Sequence, residues 1–215
     1  MKVLFAALLM ALSTAVLATP ISPSAADVTL SGSPADAFTY TSGNAQSGPN
    51  GDPSLFNTSF TGTWNLLDKL GSNGAQVGSA TTVLGSNFTL TLNLGNSGSA
   101  GTWSITSTKN ITLDLVFAMH AGNVTGSFLF DDVSLLAGQT QNGTFAIKWL
   151  NNGGQIPGYS NLTLFYTDAA LTVVPTATPV PEPAGYALLL AGLGLMAVMA
   201  RRRRNMATDM PSGLV

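Results

Sequence analysis

Few side chains in this chain are equipped for reaction or ligation. His120 is the only histidine among 215 residues, and a lone imidazole could serve as a general base. It stands directly before Ala121-Gly122-Asn123, at the end of a predicted strand, where a turn position is the simpler account. No nucleophile motif lies beside it: there is no G-x-S-x-G elbow, no H-E-x-x-H pair and no phosphate loop. We therefore expect no catalytic residues. Asp131-Asp132 and the many asparagines offer the oxygen ligands that calcium takes, but the D-x-[DN]-x-[DN]-G series is missing. A solvated edge or turn accounts for them, and no metal and no cofactor are expected. Cysteine is absent, which excludes a disulfide framework, thiolate metal sites and a cysteine nucleophile.

Three tryptophans could stack on sugars. Trp103 and Trp149 sit in alternating runs with Ile105 and Ile147 and are expected in a core. Trp64, in Gly62-Thr63-Trp64-Asn65, is the freest to act as a binding aromatic, although burial is the simpler account there too. Six N-x-S/T triplets begin at Asn57, Asn87, Asn110, Asn123, Asn142 and Asn161. In a eukaryotic secretory chain these would be glycan acceptors, but a chain this rich in Asn, Ser and Thr produces such triplets by composition. Between Asp27 and Val180 eight aspartates face only Lys69, Lys109 and Lys148. That acidic balance leaves no basic patch to neutralise phosphates, so nucleic acid is not an expected partner.

The elements that would position these residues are strands. Phe88, Leu90, Leu92 and Leu94 alternate with Thr89, Thr91 and Asn93. Ile111, Leu113, Leu115 and Phe117 form a second alternating series, Phe145, Ile147 and Trp149 a third, and Leu162, Leu164 and Tyr166 a fourth. A period of two puts one face of each strand toward a core. Turn signals separate them at Gly95-Asn96-Ser97-Gly98, Gly122-Asn123, Asn142-Gly143 and Asn151-Asn152-Gly153-Gly154. Short strands at this spacing predict an all-β fold, an antiparallel β-sandwich over residues 27–174, in preference to a barrel.

Both ends differ from this middle. Met1-Lys2, the apolar run Val3 to Leu17 and the small residues Ser24-Ala25-Ala26 read as a signal peptide over residues 1–26, cut by signal peptidase before Asp27. Val16-Leu17-Ala18 offers a second site. Near the other end, Pro175, Pro179, Pro181 and Pro183 predict an extended linker over residues 175–183. Residues 184–200 then run without a charge, roughly 25 Å as a helix and slightly short of a typical hydrocarbon core. Arg201, Arg202, Arg203 and Arg204 follow at once and read as a stop-transfer block at the head of a cytoplasmic tail, residues 201–215. The expected topology is a middle domain outside the cytoplasm, a single transmembrane helix, and arginines inside. A GPI-type signal would end in its apolar stretch rather than in a basic block.

Val180-Pro181-Glu182-Pro183, the apolar stretch Ala184 to Ala200 and the block Arg201 to Arg204 together resemble the PEP-CTERM sorting signal of exopolysaccharide-producing Gram-negative bacteria. The resemblance implies that Pro181, Glu182 and Pro183 are the sorting motif, recognised by an exosortase, a membrane-embedded processing enzyme. It also implies delivery from the inner membrane to the cell surface or the extracellular matrix, with exopolysaccharide a candidate partner there. The eleven residues 205–215 depart from the family's usual shorter end. GTWSI (101–105), LVFAMHAGN (115–123), SFLFDD (127–132) and GYSNLTLFY (158–166) are moderately similar to ectodomains that accompany such tails. That likeness supports the sandwich and implies no activity.

The expectation is therefore a non-enzymatic surface or biofilm-matrix protein sorted through its tail. Its first rival is a carbohydrate-binding or adhesive module, which calls for exposed aromatics on one sheet face or a calcium loop. Its second is a periplasmic enzyme, which calls for a polar cleft around His120 with Asp114 or Asp132 close by.

Overall fold

A computed structural model describes residues 22–173 and 185–208. The chain divides into two compact units, residues 1–173 and 174–215. The apolar part of the expected signal peptide, residues 1–21, and the proline-rich linker, residues 175–183, lie outside the described residues.

Among the described residues, ten strands build the first unit: β1 (Val28–Leu30), β2 (Ser33–Pro34), β3 (Ala37–Ser42), β4 (Asn65–Leu70), β5 (Phe88–Leu94), β6 (Ala100–Ser107), β7 (Ile111–Ala121), β8 (Val124–Leu135), β9 (Thr140–Ala146) and β10 (Tyr159–Leu171). They form two five-stranded sheets, ordered β2-β1-β9-β6-β5 and β3-β8-β7-β10-β4. Every ladder between them is antiparallel. Trp103, Ile105 and Phe145 of the first sheet share one core with Leu113, Phe117, Phe128 and Leu164 of the second. This is the antiparallel sandwich that the alternating runs predict.

Local chemistry explains the pairing. In β5, Phe88, Leu90 and Leu92 are buried while Thr89, Thr91 and Asn93 are exposed, because successive side chains point to opposite faces. Between β7 and β8 the two-residue turn Gly122-Asn123 closes on the pair Ala121–Val124. Gly122 there takes φ +68°, a left-handed position that costs glycine nothing. The series Phe145, Ile147, Trp149 outruns its strand, since β9 stops at Ala146, yet all three side chains remain in the core.

Alternation alone misjudges β7. Its even-numbered residues Val116 and Ala118 are as buried as the inward ones, on the opposite face of the sheet. Ala45, Phe56, Phe60 and Trp64, from the connection between β3 and β4, cover that face together with Phe165. Phe56 meets Trp64 and Phe165 edge-on, with ring centroids 5.7 and 5.1 Å apart. The unbroken apolar run Val116-Phe117-Ala118-Met119 is the mark of a strand buried on both faces. The strap is tied down by Lys69 of β4, whose ammonium donates to the carbonyls of Gln46, Gly48 and Pro49 at 3.0, 2.6 and 3.3 Å.

Among the described residues, the second unit contains one helix, α1 (Gly185–Thr208). It runs eight residues beyond the predicted apolar segment, because Arg, Met and Ala all favour helix and no Gly or Pro interrupts residues 201–208.

Candidate functional site

The described side chains from Ala187 to Ala200 are all exposed and uncharged. Leu188, Leu189, Leu190, Leu193, Leu195, Met196, Val198 and Met199 are 51–71% exposed. At 100° per residue these eight point all round the helix, so no polar side is left to face water. Arg201 to Arg204 cover slightly more than a turn and are exposed. Among the described residues, no helix is long and apolar enough to cross a membrane. Residues 187–200 account for about 20 Å, against about 30 Å of hydrocarbon. Pro181, Glu182 and Pro183 lie outside the described residues.

His120 lies on the outer face of β7, paired with Thr125 of β8 and Asn161 of β10. Its Nδ1 is 3.2 Å from Thr125 Oγ1, and the Thr125 hydroxyl donates to the Gly43 carbonyl at 2.8 Å. A hydroxyl has one proton to give. With that proton on Gly43, Thr125 accepts from His120, which fixes the neutral ring as the Nδ1–H tautomer. Burial pushes the imidazole below its usual pKa, against the pull of the carbonyls of Gly43, Val124 and Gly122. Asp114 sits six residues back along the same strand, roughly 20 Å away. The Asp132 N–H donates to Asp114 Oδ1 at 2.8 Å, so both carboxylates belong to that distant end. The structure does not bring His120 together with either of them.

Asp36, Asp114, Asp131 and Asp132 gather near the β7 bulge. The Asp131 N–H donates to Asp36 Oδ2 at 2.9 Å. Burial and the neighbouring charges of Asp114, Asp36 and Asp132 push the Asp131 carboxyl above its usual range. Among the described residues, no group of three or more His, Asp or Glu side chains is arranged to hold a metal ion. Trp64, Trp103 and Trp149 are all buried, with indole N–H groups given to the carbonyls of Phe60, Thr29 and Ala121. Trp64 still forms a wall of an open cleft of about 400 Å³, with Asn50, Asn65, Thr81 and Tyr166. Of the six N-x-S/T asparagines, Asn161 is buried, while Asn57, Asn87, Asn123 and Asn142 are exposed.

Two features escaped sequence reasoning. Lys69 is 8% exposed and Asp68 3%, although they do not bond to each other through their side chains. Burial lowers the Lys69 pKa and raises that of Asp68. A charged pair inside the apolar run Leu66 to Leu70 was the available signal. The second feature is a charge asymmetry. The five strands of the β1-containing sheet carry no ionisable side chain, whereas Asp68, Lys69, Asp114, His120, Asp131, Asp132 and Asp168 all lie on strands of the other sheet.

Comparison with known families finds one match: residues 179–204 fit the model of the PEP-CTERM protein-sorting motif. No curated protein and no solved structure matches the chain. The chain thus carries a PEP-CTERM sorting motif, and such a motif implies an exported, membrane-associated precursor processed by an exosortase.

Proposed function

We propose that this protein is a non-enzymatic surface or extracellular-matrix component, exported behind a signal peptide and held at the inner membrane by residues 184–200 until an exosortase processes it near Pro181-Glu182-Pro183. The observation that carries the reading is the coincidence of the matched motif with a helical stretch, residues 187–200, that is apolar on every side and runs directly into four arginines. Water offers no place for such a helix, and a bilayer does. Each arginine at a helix centre would cost about 2.5–3.5 kcal/mol on insertion scales. Four together exceed what the short apolar run returns, so they stay at the cytoplasmic surface, where long side chains reach the interface. The seventeen uncharged residues 184–200 span roughly 25 Å, and that reach covers most of the missing thickness.

The absence of cysteine makes the topology easy to test. Val173→Cys, at a position 89% exposed, and Asn205→Cys each introduce a unique thiol. An impermeant maleimide should label the first from the outside and the second only after the membrane is opened. Labelling of both from outside would contradict the topology.

A second reading, adhesion to neutral polysaccharide, is favoured by the uncharged sheet. Thr29, Thr144, Thr102 and Asn93 line up across four strands on its outer face, and Thr89, Thr106 and Thr140 form a parallel row. Hydroxyls and amides both donate and accept, and docking there strips no charge of water. Replacing Thr102, Thr106, Thr140 and Thr144 together by valine keeps side-chain shape and strand preference. It should abolish retention on immobilised dextran if this reading holds, and retention at wild-type level would remove it.

A further inference from the structure

The fold itself distinguishes between the two signal-peptidase sites. The Ser24 N–H donates to Asp27 Oδ2 at 2.9 Å, and the Asp27 N–H donates back to the Ser24 carbonyl at 3.0 Å. This closes a 3₁₀ turn, Ala25–Asp27, immediately before β1. The Asp27 side chain is fully buried, and Lys148 Nζ lies 2.6 Å from its Oδ1. Ala25 packs against the main core. Residues 24–26 are therefore a working part of the sandwich. They satisfy a buried carboxylate that otherwise keeps only Lys148, and they seat the first strand against β9.

A cut after Ala26 discards this turn. It removes the Ser24 N–H from the carboxylate and the Ser24 carbonyl from Asp27. It also turns the Asp27 amide into a charged terminal ammonium within the fold, where burial is costly. A cut after Ala18 discards none of it and leaves an eight-residue lead, Thr19 to Ala26. Val16 and Ala18 are small enough for the enzyme's recognition positions, and they directly follow the apolar run.

We infer that signal peptidase hydrolyses the Ala18–Thr19 bond, so that the mature chain begins at Thr19 and not at Asp27. Water is the co-reactant; Ala18 leaves with the new carboxylate and Thr19 keeps the new ammonium group. This rests on the export reading above, and one experiment separates the two.

The full chain is expressed in a Gram-negative host and the N-terminus of the membrane-fraction protein is sequenced. A start at Thr19 is expected. A start at Asp27 overturns the inference but leaves export standing, whereas retention of Met1 in the folded protein overturns export itself. Two variants sharpen the result. Ala18→Phe should accumulate precursor and Ala26→Phe should mature as wild type, and the reverse pattern overturns the inference. A purified form starting at Asp27 should melt roughly 3–6 °C below one starting at Thr19, and equal melting would remove the structural argument.

Discussion

His120 is the chain's one imidazole, and its environment sets the sign of a pH effect. Burial lowers its pKa in the folded state, so the unfolded chain takes up this proton more readily. Stability from His120 is complete above the unfolded value near 6.5 and is lost as pH falls through it. Asp68 and Asp131 have the opposite sign. Their folded pKa values are raised, so acid favours the folded state through them, as pH falls from the raised values through the usual carboxylate value. Because no second histidine exists, a melting temperature that drops from pH 7 to 5.5 reports His120. In His120→Asn, which keeps a donor toward Thr125, that drop should flatten. Calorimetry across this range checks it, and an unchanged slope would disprove the assignment. Sequence reasoning set His120 at the end of a strand, and the structure finds it one residue short of that end. It could not foresee the tautomer, because the strap carbonyl of Gly43 that fixes it is 77 positions away in the chain.

At the scale of elements, glycines inside strands mark where something large approaches. Trp103 of β6 pairs directly with Gly143 of β9. A Cβ on Gly143 would run into the Thr29 carbonyl and the Trp103 indole. Gly126 of β8 does the same for Trp149, whose ring would lie 2.7 Å from an added Cβ. Gly143→Ala should therefore destabilise the domain by about 1–3 kcal/mol, the range for overpacking a close-packed site. Urea denaturation measures it, and a loss below 0.5 kcal/mol, within the scatter of ordinary surface changes, would contradict the packing account. Asn142-Gly143 reads in sequence as a turn, and the structure instead finds it in the middle of β9. The dipeptide is a sound local signal, but the tertiary need for space beside Trp103 overrides it. The alternating runs of β5, β7 and β10 were legible because a period of two needs no distant information. The strap that covers β7 was not, since only long-range contacts assemble it.

For the whole molecule, the two units treat their apolar residues differently. The sandwich gathers most of its large apolar residues in two clusters, and the helix exposes its own over residues 187–200. The sorting motif was the most legible part of the chain, because an order of proline, apolar run and arginine block needs no tertiary context. The ectodomain's role was the least legible. Its strand pattern specifies a fold, while a surface of uncharged hydroxyls and amides has no spacing rule that names a ligand. Processing of the tail is tested by the intact mass of the surface-released protein, from cells with and without their exosortase. The account predicts release of a form ending near Pro183 and lacking Arg201 to Arg204 only when the enzyme is present. Recovery of full-length chain, arginines included, in both strains would contradict it.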